Sequence, residues 1–197
     1  MKVIENWDNY FMKMAYLASY KSKDESSKIG AVLVRNNMVI STGYNGLSKG
    51  ALDPYDYENK LSKFKGDIIA KGYAQYAAND VYQKIKNRKS RPDKYLHIIH
   101  GETNAILAAA KLGISTDKST LYTQAIPCNE CAKNIIQSGV SKVIVHKSFS
   151  DIFYQAEQWK PILRITFDMF EESEVEVYFI DVILNETAFI SGKEYKL

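Results

Sequence analysis

Over the first twenty residues apolar side chains recur at three- and four-residue steps: Ile4, Trp7, Phe11, Met14, Ala15 and Ala18, with Tyr10 and Leu17 widening the stripe. That period predicts an amphipathic helix over 4–20 with its apolar side in the core. Lys21-Ser22-Lys23-Asp24 breaks the pattern. Ala31-Val32-Leu33-Val34 and Met38-Val39-Ile40-Ser41-Thr42 then read as the strands of a hairpin over 30–44, and Asn36-Asn37 suits a tight turn that needs positive φ. Residues 67–86 carry a helical stripe of Ile68, Ile69, Tyr73, Tyr76, Ala77, Val81 and Ile85, between loop-like Asp53-Pro54-Tyr55 and Arg91-Pro92-Asp93. A helix over 101–112 would turn Ala105, Ile106, Ala108, Ala109 and Leu112 inward, and Gly113 would close it. Leu121-Tyr122-Thr123 reads as a strand, Cys128 to Ser138 as a helix ended by Gly139, and Val143-Ile144-Val145 as a strand. A helix near 155–166 and a strand at 175–181 complete the elements. The alternation of strands and helices predicts a three-layer α/β fold.

At 197 residues the chain fits one domain, with residues 47–99 as an insertion that serves as a lid or a subunit contact. Apolar residues at 46% and charged residues at 25% are those of a globular protein able to bury a core. No apolar run approaches the roughly 20 residues of a membrane span, and Met1-Lys2-Val3-Ile4-Glu5-Asn6-Trp7-Asp8 lacks the apolar centre of a signal peptide. The only cysteines are Cys128 and Cys131, three positions apart. They form no disulfide framework, and a cytoplasmic location is expected. The net charge of +3 is too small for a dedicated nucleic-acid binder. It is unevenly spread: Lys60 to Lys94 holds ten Lys or Arg against three Asp, and Asp168 to Glu176 holds five acidic residues and no basic one. The basic segment reads equally as a phosphate-facing surface or as a solvated helix face.

The candidate chemistry lies in His100-Gly101-Glu102 and Pro127-Cys128-Asn129-Glu130-Cys131. One imidazole and two thiolates make three ligands of a tetrahedral zinc, with the fourth position open as in a catalytic site. Glu102, two residues from the imidazole, can handle protons without binding the metal. This is the H-x-E…P-C-x-x-C signature of the zinc deaminases. Each half alone is weak; both in this order, each opening a helix, are strong. Helix N-termini favour thiolate over thiol. Zinc would lower the pKa of a bound water, and Glu102 would carry its protons to a ring nitrogen and to the departing amine at C4 of a cytosine. The bland alternative is a closed zinc knuckle or unrelated core residues. His97 belongs to the preceding segment, and His146 reads as an ordinary strand-end residue. Gly43-Tyr44-Asn45-Gly46 closes the hairpin, where glycines permit a sharp turn or a close ligand approach and Asn45 can bond a sugar hydroxyl.

These stretches resemble the deoxycytidylate (dCMP) deaminases. The matching residues are Ser22-Lys23-Asp24 with Ile29-Gly30-Ala31-Val32, Gly43-Tyr44-Asn45-Gly46, His100 to Ile106, and Pro127 to Lys133 continuing through Ile135 to Val140. The resemblance implies a cytidine-deaminase-like α/β/α fold with a mixed sheet of about five strands. It implies hydrolysis of dCMP to dUMP for thymidylate synthesis, with zinc on His100, Cys128 and Cys131 and Glu102 as proton shuttle. It places Asn45 near the deoxyribose, Ser22 and Lys23 near the 5′-phosphate, and Phe149 near the base. It also implies a homohexamer, and regulation by dCTP and dTTP with magnesium (Mg2+) near Gly43, Tyr44 and Gly46. The chain departs from the family in four places. Gly101 replaces the usual Ala and leaves room beside the zinc. Leu47-Ser48 stands where many members have a proline. Residues 51–95 have no clear counterpart, and the 168–176 stretch is unusually acidic. A 5-substituted dCMP or dCTP is therefore a competing substrate. A base in single-stranded nucleic acid, read through the basic segment with Tyr73, Tyr76 and Tyr82, is another. A catalytically silent nucleotide sensor is the non-enzymatic reading.

Overall fold

The computed structural model describes residues 6–56, 66, 67, 70, 78–155 and 159–197. The chain divides into two compact units, one built from the segments up to Gly46 and from His100 onward, the other lying within Leu47–Ile99.

The larger unit centres on a five-stranded mixed sheet, ordered β2-β1-β5-β6-β7. Strands β1 (Gly30–Arg35) and β2 (Met38–Tyr44) form the expected antiparallel hairpin. Asn36 and Asn37, at φ 52° and 56°, supply the turn whose twist suits a two-residue connection. Strand β5 (Thr120–Thr123) runs antiparallel to β1, and β6 (Lys142–His146) and β7 (Glu176–Ile180) continue in parallel. Alternate side chains separate two cores, as the two-residue period of a strand requires. Ala31, Leu33, Leu121, Val143 and Val145 face one; Val32, Val34, Tyr122 and Ile144 face the other.

Helices α4 (Gly101–Lys111), α5 (Asn129–Gln137) and α7 (Lys160–Glu172) cover the first face through Ala105, Ala109, Ile135 and Phe170. Helix α1 (Trp7–Ser19), α6 (Lys147–Phe153) and the hairpin β8 (Thr187–Ile190)–β9 (Lys193–Lys196) cover the second. The three-layer expectation holds. At the two ends of the Leu47–Ile99 segment, β3 (Gly46–Leu47) pairs with β4 (Ile98–Ile99). Helices α2 (Ala78–Asn87) and α3 (Asp93–His97) lie between them. Ile85 and Tyr82 are buried, and Lys86, Lys89 and Arg91 sit over the rings of Tyr82, Tyr55 and Tyr95. Ile68, Ile69, Tyr73, Tyr76 and Ala77 of the expected 67–86 helix lie outside the described residues.

Three expectations shift. The buried side of α1 is Phe11, Met12, Ala15, Tyr16 and Ser19, whereas Trp7, Tyr10 and Leu17 are exposed. The stripe rotates because the fold accepts two polar groups on that side. Ser19 Oγ donates to the Tyr16 carbonyl, and the Tyr16 hydroxyl meets His146 Nδ1 at 2.7 Å. Leu112 is exposed, being the cap residue after α4, where Gly113 at φ 70° turns the chain away. The single helix near 155–166 is instead α6 and α7, with Gln155 in neither. Their apolar sides serve opposite cores, so no one stripe runs through that stretch.

His146 is a buried link rather than an ordinary strand end. Its Nδ1 accepts from Tyr16, and its Nε2 lies 2.9 Å from the Val182 carbonyl as donor. Burial lowers its pKa from the usual imidazole value, so the unfolded chain takes up the proton first. Stability is complete above about pH 6.5 and is lost as the pH falls below it. Melting temperatures measured from pH 8 to 5.5 are expected to show that slope, and His146→Gln to flatten it from a lower starting point.

Gly43 is required by packing. A Cβ there would lie 2.2 Å from both the Gly101 oxygen and the Ala105 nitrogen, backbone atoms of α4 that cannot step aside. Gly43→Ala is expected to cost about 3 kcal/mol or more. At this chain length that lowers the melting temperature by about 10 °C, a shift calorimetry reads directly.

Candidate active site

The two halves of the motif occupy equivalent places. His100 is the N-cap residue of α4 and Cys128 that of α5, both with extended backbone. Neither side chain caps its own helix. Both turn toward a common point, joined there by Cys131 from the first turn of α5. His100 Nδ1 lies 3.4 Å from each sulfur, and the three ligand atoms lie within 4.8 Å of one another. Zinc with bonds of about 2.0 Å to nitrogen and 2.3 Å to sulfur would hold those atoms about 3.6 Å apart. The borderline-soft donors and their spacing therefore fit zinc, with Nδ1 as the imidazole ligand.

The thiols do not share their proton evenly. The hydrogen bond from Cys131, and then His100, hold Cys128 well below the usual thiol range. The same bond and burial push Cys131 up. Thr103 Oγ1 accepts from Asn134 Nδ2 at 3.0 Å, so its own proton points to Cys131 Sγ at 3.6 Å. Position alone singles out Thr103, since it lies in the same helical turn as Glu102; the motif does not include it.

Glu102 is 4% exposed, and its Oε2 has no hydrogen-bond partner among the described residues. Burial raises its pKa above the ordinary carboxyl value. An orphaned carboxylate oxygen beside three metal ligands is costly unless something occupies the space before it. Tyr154 closes this side. Its hydroxyl donates to the Ile126 carbonyl, just ahead of Pro127-Cys128. Burial, then the charges of Glu102, Cys128 and Cys131, push the phenol well above its ordinary value and keep it a donor. Periodicity passed over Tyr154 because it follows one helix and precedes another.

The remaining predicted residues are placed as follows. Phe149 is fully buried on the opposite face of the sheet, edge-on to Tyr16 and stacked with Phe153. Ser22 is buried, donating to the Asn45 carbonyl and accepting from Asp24 N. Lys23 is exposed on the loop after α1. Asn45 Nδ2 donates to Asp24 Oδ2 and the Ser27 carbonyl, and its Oδ1 accepts from Ile29 N. That leaves it one acceptor lone pair. Gly43 lies beneath α4, the Tyr44 carbonyl accepts from Asn104 Nδ2, and Gly46 has ample space around it. The room expected at Gly101 is not there: a Cβ would lie 2.8 Å from the Ile29 carbonyl oxygen. His97 is exposed on α3.

A histidine and two cysteines at helix N-termini, with a carboxylate beside them, define the zinc-dependent deaminases as a class. Residues 5–147 match the family described as the cytidine and deoxycytidylate deaminase zinc-binding region. The deoxycytidylate deaminase of Enterobacteria phage T4 is 36% identical over 163 residues, spanning 78% of this chain and 82% of that protein. The Homo sapiens deoxycytidylate deaminase is 30% identical over 165 residues, spanning 83% and 75%. The dCMP deaminase of cyanophage S-TIM5, solved with dCMP and dUMP, superposes with a TM-score of 0.56 at 22% identity, covering 91% of this chain and 100% of the other. The chain belongs to the cytidine and deoxycytidylate deaminase family.

The uneven thiols predict the proton count of metal uptake. The pair shares one proton that lies toward Cys131, since their hydrogen bond lowers the Cys128 thiol and, with burial, raises that of Cys131. Zinc binding to metal-free protein at pH 7 should therefore displace about one thiol proton rather than two. Titration calorimetry in buffers of differing ionisation enthalpy measures that number.

Proposed function

We infer that this protein is a zinc-dependent aminohydrolase converting dCMP and water to dUMP and ammonia. The observation that carries the reading is the buried Glu102 carboxyl group, its Oε2 without a hydrogen-bond partner among the described residues, beside three convergent zinc ligands. A closed structural site has no use for such a group.

His100, Cys128 and Cys131 would hold the zinc, which when bound would supply a water activated as a nucleophile near neutral pH. Glu102 would take one proton from that water as its oxygen bonds to C4 and deliver it to the ring nitrogen beside C4; it would then take the second proton from the new C4 hydroxyl and pass it to the exocyclic amine, which leaves as ammonia as the C4–N bond breaks. Its burial keeps bulk water from competing for those protons. The Thr103 hydroxyl steadies the Cys131 sulfur, and the Tyr154–Ile126 bond holds the approach to Cys128. We assign the aromatic wall beside the base to Tyr154 rather than Phe149, since Phe149 serves the other core. With one lone pair left, Asn45 can accept from a sugar hydroxyl but not donate to it. Lys23 is the candidate cation for the 5′-phosphate.

On the family resemblance we extend the reading to dUMP supply for thymidylate synthesis, a homohexamer, and control by dCTP and dTTP with magnesium near Tyr44 and Gly46. We take residues 1–197 as one catalytic domain with an insertion at about 47–99. A cytoplasmic setting suits a site built on thiolates. No helix among the described residues is long and apolar enough to cross a membrane.

The test is ammonia release by zinc-loaded protein with dCMP, CMP, dCTP, deoxycytidine, 5-methyl-dCMP and single-stranded DNA, each with and without dCTP plus magnesium. Selective turnover of dCMP is expected. An inert dCMP beside a reactive panel member would overturn the substrate assignment and leave the chemistry standing. Glu102→Gln should retain one zinc per chain while kcat falls about 10²–10⁴-fold; wild-type turnover in that variant rules out the assigned shuttle.

A further inference from the structure

The C-terminal hairpin lies outside the matched family region, yet it is bonded to the segment on which the active-site helix rests. Strand β8 extends onto the loop after α1: Lys28 N donates to the Phe189 carbonyl at 3.1 Å, and the Lys28 ammonium lies 4.6 Å from the centre of the Phe189 ring. The tip of the hairpin holds the same loop, with Gly192 N donating to the Ser26 carbonyl at 2.6 Å and Ser191 N to Ser27 Oγ at 3.0 Å. At its base, the Tyr20 hydroxyl donates to Glu186 Oε2 and accepts from Thr187 N. Ile29 follows directly. Its N–H is held by Asn45 Oδ1, and its carbonyl accepts from Asn45 N. That same carbonyl oxygen would sit 2.8 Å from a Cβ at position 101, and the Tyr44 Cα 3.4 Å from it. Position 101 lies between the imidazole ligand and the Glu102 carboxylate.

We propose that the C-terminal hairpin and Gly101 form a positioning device for the catalytic centre. The hairpin pins Ser26–Lys28, which fixes the Ile29 carbonyl as a seat, and Gly101 lets the first turn of α4 settle onto it. His100 and Glu102 are thereby held at one height above the sheet. A side chain at 101 lifts that turn; a released hairpin lets the seat drift. Neither residue touches the substrate. The proposal rests on the deaminase reading for its kinetic test alone, because metal geometry reports on it independently.

The experiment is a double-mutant cycle on the full chain with Gly101→Ala and Gly192→Pro. Proline removes the N–H that bonds Ser26 and cannot adopt the φ of 78° at that turn. Each protein is loaded with zinc for kinetics and with cobalt(II) for its visible absorption. Each single variant should bind one metal per chain, shift the cobalt bands, and lower kcat for dCMP about tenfold with KM within twofold. The double variant should lose no more than the worse single one, since both act through one seat. Should Gly192→Pro fail to fold, Tyr20→Phe replaces it, with the same direction and a loss of about threefold. Cobalt bands and kcat at wild-type values in the hairpin variant, or losses that multiply in the double variant, overturn the proposal. If wild-type protein leaves dCMP untouched, the functional reading fails, and the cobalt bands still decide the positioning claim.

Discussion

The close crossing of α4 over the end of β2 is the contact on which the rest of the structure depends. There the helix meets the strand backbone to backbone. Gly43 lies under the Gly101 carbonyl and the Ala105 nitrogen with no room for a side chain. Ser41 Oγ donates to the Ala105 carbonyl and Asn104 Nδ2 to that of Tyr44. Contacts between main chains cannot be relaxed by changing a rotamer, so the first turn of α4 has one height and one direction. His100 and Glu102 inherit both. Parallel pairing of β5 with β6 then sets α5 beside α4, and Cys128 and Cys131 arrive at the same point.

That convergence creates an electrostatic problem which defines the site. Two sulfurs and a buried carboxylate crowd one small volume. The structure relieves part of the repulsion by leaving one proton between the thiols, by aiming the Thr103 hydroxyl at Cys131, and by placing both clusters at helix N-termini, where the dipole favours negative charge. A divalent cation held by His100, Cys128 and Cys131 would relieve the remainder. Burial, which is costly for an ionised Glu102, raises its carboxyl above the ordinary value.

The opposite face of the sheet carries no such chemistry and behaves as support. Several of its buried polar groups pair with one another: Tyr16 with His146, His146 with Val182, and Tyr122 with Asp8. Because both cores hang on alternate residues of the same strands, strain introduced on the supporting face reaches the site through β1 and the loop before it. The aromatic Phe149 belongs to this support, whereas Tyr154, the cap of the same short helix, bonds the Ile126 carbonyl ahead of Cys128.

The amino-acid sequence by itself determined the elements whose cause is local. The Asn36-Asn37 turn, the ends of α4 and α5 at Gly113 and Gly139, and the two short motifs at His100-Gly101-Glu102 and Cys128–Cys131 were legible because spacing and backbone preference act over a few residues. The hairpin β8–β9, the rotation of α1, the break between α6 and α7, and the contacts of Tyr154, Thr103 and Gly101 were not. Each depends on a partner far along the chain: His146 for Tyr16, Ile126 for Tyr154, Ile29 for Gly101. A one-dimensional pattern records how polar a residue is and how often that recurs. Which backbone will press against it, and whether a buried hydroxyl will find an acceptor, is decided only when the strands have paired and the helices have closed over them.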